Sequence, residues 1–240
     1  MKNTMNPMND VKTSACVSGV TEIVYVLDRS GSMGPMREAA MASFNEFLGM
    51  QREVPGEARF TLVLFDDCYE VPVASVPIGE VGEMTEEGYK PRGSTALLDA
   101  MGRTIDELAE RIDQMPEGER PGKVAMAIFT DGMENASRVY GVGRIGELIS
   151  EYRDRHGWEF LFLAANQDAI ASAGMVSIGR DKGGNVEFSR KGMGSSLRAV
   201  SRKFRALRLA GTAYMDSAAM SDAAAPLDDM IREEFEKAGE

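Results

Sequence analysis

Short apolar segments that alternate with amphipathic helical segments constrain the fold of this chain more than any other feature. In each of them nearly every residue is apolar, whereas a strand with one face in water shows apolar residues only at alternate positions. They occupy residues 23–27, 60–65, 123–129 and 158–164. Such strands are typical of a parallel sheet that helices cover on both faces. The sequence therefore predicts an α/β fold with a doubly wound, mostly parallel central sheet.

Helical periodicity is found in the stretches between and after these segments. The predicted helices cover residues 35–53, 96–114, 142–156, 168–173 and 197–209. A shorter apolar run at 69–73 follows the second apolar segment after Asp66-Asp67, and this spacing predicts a hairpin with one antiparallel edge strand. A short last strand is expected at 186–188. The Gly-, Pro- and Glu-rich residues 75–95 are too many for a plain connector and indicate a functional loop or a surface excursion.

The length of 240 residues fits one large domain with appendages. Residues 1–20 are polar and lack periodicity, so they are interpreted as a leader. The domain itself is placed at 21–210. The acidic, Ala-rich residues 211–240 are predicted to form a mobile or loosely docked tail that ends in a short helix near 227–237.

Several protein classes are excluded or disfavoured by composition. The longest unbroken apolar run, 124–129, is far shorter than the roughly 20 residues of a membrane span, and the first residues lack the apolar stretch of a secretory signal. Cys16 and Cys68 show no metal-type spacing, which favours a reducing, cytoplasmic location. The single histidine, His156, lies late in a predicted helix and excludes His-rich metal sites.

The sequence Asp28-Arg29-Ser30-Gly31-Ser32 follows the first predicted strand and carries three oxygen side chains at alternate positions. Hard oxygen ligands of this kind suit Mg²⁺ or Mn²⁺. Asp131 follows a later strand, and if the two strands are neighbours, Asp28 and Asp131 face each other at the carboxyl ends of the sheet. Two carboxylates so placed repel unless a cation lies between them. The alternative is a turn with helix-capping residues, since Asp and Ser are preferred caps.

Three separated segments together resemble the von Willebrand factor type A domain. They are Asp28-x-Ser30-x-Ser32, Thr95 within residues 93–100, and Asp131 within Thr130-Asp131-Gly132. They fill all five positions of the metal-ion-dependent adhesion site of that family, whose fold is Rossmann-like. The resemblance is clearest over residues 21–178. Residues 130–137 and 157–166 are similar to the uncharacterised prokaryotic and phage-borne intracellular branch of the family.

The resemblance implies a function. Ser30, Ser32 and Thr95 would offer hydroxyl ligands to Mg²⁺, with Mn²⁺ or Ca²⁺ as alternatives, while Asp28 and Asp131 would act partly through water. One coordination position would stay open for an Asp or Glu of a partner protein. The chain is thus expected to be a divalent-cation-dependent adaptor rather than an enzyme. Related prokaryotic members in some cases act beside AAA+ ATPases, so an AAA+ ATPase or another complex subunit is the expected kind of partner.

Residues beside the five ligands form the expected rim of the site. They are Arg29, Met33, Ser94, Glu134, Asn135, Asn166 and Asp168. For Asn166 and Asp168 the alternative is that one of them caps a short helix. Glu134 and Asn135 are equally consistent with solvated loop residues.

Basic residues concentrate in one late segment. Residues 180–208 contain nine basic and two acidic side chains in a chain whose net charge is −11. One helix face carries Arg198, Arg202, Arg205 and Arg208. This basic helix face has three interpretations: it pairs with the acidic tail, it docks an acidic protein, or it contacts nucleic acid. The last is disfavoured by the acidic charge of the whole chain.

Two rival functions stay open at this point. The first is a metal-dependent phosphoester hydrolase in which Asp28 or Asp131 acts as general base. The second is an assembly protein that binds through the basic helix at 197–209 and whose metal site is vestigial.

Overall fold

The computed structural model of the chain describes residues 18–164, 182–185, 187 and 189–239, and over these the chain forms a six-stranded sheet. The strands are β1 (Ser18–Asp28), β2 (Ala58–Phe65), β3 (Tyr69–Pro77), β4 (Pro121–Thr130), β5 (Glu159–Ala164) and β6 (Gly183–Asn185). Their order is β3-β2-β1-β4-β5-β6. Within this sheet the β2–β3 pair is antiparallel and the other neighbouring strands run parallel. The predicted doubly wound sheet with an antiparallel edge strand is confirmed.

Six α-helices accompany the sheet in the described part of the chain. They are α1 (Arg37–Arg52), α2 (Leu97–Gln114), α3 (Val142–His156), α4 (Arg190–Leu209), α5 (Ser217–Ala224) and α6 (Leu227–Lys237). A 3-10 turn, Gly31–Met36, leads into α1. Helix α4 begins seven residues before the start that its apolar periodicity predicts. Its first turns contain two glycines and two serines, which have low helix propensity and therefore gave no helical signal. The side chain of Ser189 starts it by accepting a hydrogen bond from Gly192 N.

Alternate residues of each central strand face opposite sides of the sheet, and each side has its own core. Tyr25 lies on the side that α1 and α4 cover, where its ring stacks on Phe129 with ring centres 4.5 Å apart and meets Phe44 edge-on. Val24 and Val26 lie on the side that α2 and α3 cover. Continuous apolar strands follow from this arrangement, because neither face of the central strands contacts water.

The C-terminal segment packs on α4, which corrects the expectation of a mobile or loosely docked tail. Helix α6 occupies the range expected for a short helix, and Leu227, Met230 and Ile231 on it are buried in the same core as α1. The carboxyl-terminal helices therefore belong to the folded domain.

The basic helix face lies between α4 and this tail. Arg202 forms ion pairs with Asp222 and with Glu234. Arg198 also pairs with Glu234, and Arg205 pairs with Asp216. Arg208 is buried and donates to backbone carbonyls at the end of α1 and just beyond it. Of the three interpretations of this face, pairing with the acidic tail describes the structure for the first three arginines, while Arg208 has a core role.

Replacing Leu227 by alanine tests how firmly the tail is docked. Leu227 is fully buried, and removing a buried leucine side chain costs roughly 2–5 kcal/mol. We expect the free energy of unfolding in urea to fall by that amount. Met220→Ala on α5 is the matched control, because Met220 is 58% exposed. Equal stability of the two variants would contradict a docked tail.

Some expectations lie outside the described residues. These are the leader up to residue 17, the helix at 168–173, Asn166, Asp168 and two of the three residues of the strand expected at 186–188. The last described strand, β6, ends just before that position. None of the described helices combines the length and apolar character that crossing a membrane requires.

Candidate metal centre

The carboxyl ends of β1 and β4 meet at the point where the winding of the sheet reverses. From β1 the chain passes through α1 to β2 on one side, whereas β4 lies against the other side of β1. Such a reversal opens a crevice at the carboxyl edge of a parallel sheet. Asp28 is the last residue of β1, and Asp131 follows the last residue of β4.

Asp28 is fixed by hydrogen bonds to both carboxylate oxygens. Its Oδ1 accepts from Ser30 N at 2.6 Å, and its Oδ2 accepts from Thr130 Oγ1 at 2.5 Å. The side chain is fully buried, and Tyr89 Oη donates to the backbone carbonyl of the same residue at 2.6 Å. Asp28 is therefore held in one orientation at the base of the crevice.

Two serine hydroxyls connect the β1 side of the crevice to the β4 side. Ser32 Oγ donates to Asp131 Oδ1 at 2.8 Å, and Ser30 Oγ lies 3.0 Å from Ser32 Oγ. Adjacent ligands of an octahedral Mg²⁺ are about 2.9 Å apart, since each lies about 2.0–2.1 Å from the ion. The spacing of these three oxygens fits neighbouring positions around such an ion.

Thr95 reaches the crevice because the segment before it makes a sharp turn. Gly93 has φ +65°, and a Cβ at this position would lie 2.0 Å from Asp67 Oδ1, so both the backbone angle and the close approach require glycine. Its carbonyl accepts from Gly31 N at 3.2 Å. A Cβ built on Gly132 would lie 2.8 Å from Thr95 Oγ1 and 3.4 Å from Ser32 Oγ. The two hydroxyls therefore flank the same position.

Glu134 and Asn135 hold Thr95 in place. Asn135 Oδ1 accepts from Thr95 N at 2.9 Å, and Asn135 N donates to Thr95 O at 3.1 Å. Glu134 accepts from Leu98 N in the first turn of α2 and from Ser137 N. Oxygens of both side chains thus satisfy backbone N–H groups. Asn135 is exposed and Glu134 is half-buried, so their contact with a partner stays a prediction. The sequence Glu134-Asn135 gives no signal of the bonds to Thr95 and Leu98, because those two residues lie 40 and 36 positions away in the chain.

Arg29 and Met33 are corrected from rim residues to buried ones. Met33 is 1% exposed and belongs to the core beneath the crevice. The guanidinium of Arg29 turns away from the metal site and pairs with Asp66 and Glu70 at 3.1 and 2.9 Å. Ser94 is exposed, as a rim residue requires.

A second group of ligand-type atoms lies nearby, on Asp66, Asp67 and Cys68. Asp66 uses its Oδ2 for Arg29 and Arg92 and its Oδ1 for Cys68 N. Burial acts to raise the pKa of Asp66, but the hydrogen bonds from Arg92 and Cys68 N outweigh it and hold the pKa below its ordinary value. This carboxylate is neutralised by arginines and does not need a cation.

Asp28 and Asp131 are in the opposite situation. Among the described residues, no lysine or arginine forms an ion pair with either of them. Burial raises the pKa of Asp28 to about 6 in spite of its hydrogen bonds, and burial also raises the pKa of Asp131. Two neighbouring carboxylates without a compensating positive charge repel each other, and a bound cation would relieve this repulsion.

Comparison with known proteins identifies the fold. No family model and no curated protein matches the sequence, but solved structures do. The mussel byssus proximal thread matrix protein 1 with a zinc-occupied MIDAS motif matches with a TM-score of 0.51 and 14% identity over 78% of this chain. The ArnB paralog VWA2 from Sulfolobus acidocaldarius matches with a TM-score of 0.50 and 17% identity over 76% of this chain. The chain has the fold of a von Willebrand factor type A domain. The open form of the pilus adhesin SpaC from Lactobacillus rhamnosus GG matches with a TM-score of 0.56 and 14% identity over 80% of this chain.

The likeness concerns the type A domain and not the whole of those proteins. The chain covers 46% of the mussel protein, 45% of VWA2 and 30% of SpaC. Within this fold, the structure brings together all five residues predicted as metal ligands: Asp28, Ser30, Ser32, Thr95 and Asp131. The alternative of a turn with capping residues is met in part, since Asp28 Oδ1 accepts from Ser30 N two residues later, as in a turn. Neither Ser30 at the 3-10 turn nor Ala96 at the start of α2 makes a side-chain cap, and the α2 terminus is bonded by Glu134.

Proposed function

We propose that the chain is a protein-binding domain that holds Mg²⁺ between Asp28, Ser30, Ser32, Thr95 and Asp131, and that an Asp or Glu of a partner protein completes the coordination. The observation that carries the proposal is the convergence, at the reversal point of the sheet, of three hydroxyls and two carboxylates that have no ion-pair partner in the described part of the chain. Hard oxygen donors favour Mg²⁺, Mn²⁺ or Ca²⁺ over softer metals.

The open position follows from the donor set. Neutral hydroxyls supply most of the ligands, so the cation keeps a strong attraction for a further carboxylate. An octahedral ion bound by few protein groups keeps water in its remaining positions, and a partner carboxylate would replace one such water. Ser32 is exposed, so this side of the site faces solvent.

We further propose binding rather than catalysis. The only histidine of the chain, His156, lies at the end of α3 with its ring 5.1 Å from that of Tyr152. Helix α3 ends next to the amino end of β5, so this histidine lies at the opposite edge of the sheet from the site. The predictions of an AAA+ ATPase as partner and of a cytoplasmic location stay predictions.

Metal-dependent stabilisation of the full chain tests the first half of the proposal. Metal-stripped protein is titrated with Mg²⁺, Mn²⁺ and Ca²⁺ during thermal unfolding. At about 100 times the dissociation constant, binding adds roughly 2.7 kcal/mol, which raises the Tm of a chain of this size by roughly 5–10 °C. Thr95→Val removes one hydroxyl ligand and keeps the backbone bonds to Asn135, so we expect most of this rise to be lost.

Thr104→Val is the matched control, because Thr104 is as buried as Thr95 but its hydroxyl donates to a helix carbonyl in α2. It should respond to Mg²⁺ as the parent does. A Thr95→Val protein that keeps the full metal response, or a parent that shows none, would contradict the proposed site.

A display library tests the second half. Random peptides with one fixed Asp are selected on the immobilised full chain in Mg²⁺ and, separately, in EDTA. We expect binders that require both the cation and the carboxylate, and that fail when the fixed Asp is changed to Asn. Binding that survives EDTA and the Asn exchange would contradict a partner carboxylate on the metal.

A further inference from the structure

Several exposed apolar side chains belong to the chain segment that follows Asp131. Among the described residues, the large hydrophobic side chains that are exposed are Met133, Val139, Val142, Tyr214 and Met220. Three of the five lie in the ten residues that begin two positions after Asp131. Val139 is 79% exposed. Single exposed apolar residues are ordinary on a protein surface, so their exposure alone does not indicate a contact surface.

Val139 is also one wall of a groove on the α2 side of this edge. The groove has a volume of about 480 Å³. Its apolar and aromatic lining consists of Phe65, Tyr69, Ala96, Ala100, Val139 and Tyr140. Asp67, Cys68, Asp99 and Arg103 complete the lining. The volume is sufficient for one large side chain with its adjoining backbone.

The two aromatic walls are held in place. The Tyr140 ring lies flat on α2 at Gly102, where a Cβ would come within 2.1 Å of it, and Tyr140 Oη donates to Asp106 at 2.7 Å. The guanidinium of Arg103 lies 4.3 Å from the Tyr69 ring centre. A groove with fixed walls loses little conformational entropy when it is filled.

The groove is continuous with the metal centre. Ala96 in its floor is the neighbour of Thr95, and Asp67 in its wall touches Gly93. Asp99, which also lines it, is occupied by three backbone N–H groups of residues 138–140. The loop between β4 and α3 therefore contributes Asp131 to the metal centre and Val139 and Tyr140 to the groove. A single partner segment can contact the metal centre and the groove together.

We propose that this groove takes a large apolar side chain of the same partner segment whose carboxylate reaches the cation. The partner motif is then an Asp or Glu accompanied, within a few residues, by a Leu, Ile, Met or aromatic residue. The inference rests on the proposed function and adds the second recognition element, which a carboxylate alone cannot supply because acidic residues occur on every protein surface.

The library described above tests the inference through its random positions. We expect apolar residues to be enriched at one fixed distance from the Asp among the Mg²⁺-dependent binders. The strongest peptide is then measured on Val139→Ser, for which we expect about a tenfold loss of affinity, the order given by losing the burial of one apolar side chain. Val142→Ser is the matched control, because Val142 is an exposed valine three residues away that does not line the groove.

A chemical readout uses Cys68, an exposed thiol in the groove wall. In a Cys16→Ser background, the selected peptide should slow alkylation of Cys68 by iodoacetamide in Mg²⁺ and leave it unchanged in EDTA. A peptide with serine in place of its apolar residue should protect the thiol much less.

The outcomes separate the two proposals. Mg²⁺-dependent peptides that need the Asp but show no apolar preference, or that bind Val139→Ser and Val142→Ser equally well, would overturn the groove and leave the cation-dependent function standing. A library that yields no Mg²⁺-dependent binder would overturn the proposed function, and the groove inference with it.

Discussion

Replacing Asp28 by asparagine is expected to stabilise the metal-free protein at neutral pH and to abolish its response to Mg²⁺. The side chain is fully buried with a pKa of about 6, against an ordinary value of 3.8. The ionised form is therefore disfavoured in the folded state by as much as about 3 kcal/mol. Asparagine removes that penalty, and it also removes the charge that attracts the cation. Unfolding in urea, with and without Mg²⁺, measures both effects.

Asparagine fits the position without leaving a polar atom unpaired. Its oxygen can accept from Ser30 N as Asp28 Oδ1 does. Its amide can donate to Thr130 Oγ1, whose own hydrogen can turn to Gly132 O at 3.3 Å. Asp28→Ala lacks both contacts and is the contrasting variant, since it should lose the metal response without the gain in stability.

The stability of the metal-free protein is expected to change with pH in a definite direction. Between pH 3.8 and about 6 the folded metal-free protein holds a proton on Asp28 that the unfolded chain has released, so this group makes stability fall as the pH rises through that window. Mg²⁺ competes with the same proton, and its stabilising effect should grow through the window and be lost below it. An Asp28→Asn protein that is less stable than the parent and still responds to Mg²⁺ would contradict both arguments.

Replacing Asp66 by alanine is expected to destabilise the protein by roughly 3 kcal/mol, because it leaves a buried arginine without its buried partner. Asp66 is fully buried, and the Arg29 side chain is 6% exposed. The substitution also frees Cys68 N from its bond to Asp66 Oδ1. Glu70 stays available to Arg29 but is half exposed, so it compensates only in part. Urea unfolding at pH 7 measures the loss.

Asp67→Ala is the matched control, since Asp67 is the exposed neighbour in the same turn. A surface change of this kind alters stability by less than about 0.5 kcal/mol. The pKa of Asp66 lies below its ordinary value, so its contribution is present above the pKa of the unfolded chain and is lost as the pH falls. The difference between parent and Asp66→Ala should therefore narrow in acid. Equal losses for the two aspartates would contradict the buried ion pair.

The elements of the sheet could be predicted because their signals are local. The predicted range of α3 agrees with the structure at both ends, and the hairpin of β2 and β3 is present with its turn at Asp66-Asp67. The first turns of α4 could not be predicted because their glycines and serines do not contribute to an apolar periodicity. These small residues are buried in the structure, and the sequence alone does not show that packing.

The docking of the tail could not be predicted for a related reason. The composition of residues 212–240 is acidic and rich in alanine, which is typical of segments that bury little apolar surface. Only a few of its side chains are large and apolar, and the fold places Leu227 and Ile231 against the same core as α1. Arginines of α4 then pair with tail carboxylates that are 11 to 36 residues away along the chain.

The sequence by itself determined the strands of the central sheet and the places of Asp28 and Asp131 at strand ends, because apolar runs and short motifs are properties of neighbouring residues. Thr95 could be added only through the resemblance of three separated segments to a known family. Tertiary structure alone decided that Arg29 turns inward to Asp66, that Asn135 and Glu134 bond to Thr95 and to the first turn of α2, and that a groove lies next to Thr95. Each of these depends on contacts between residues that are distant along the chain, and a local sequence pattern does not show such contacts.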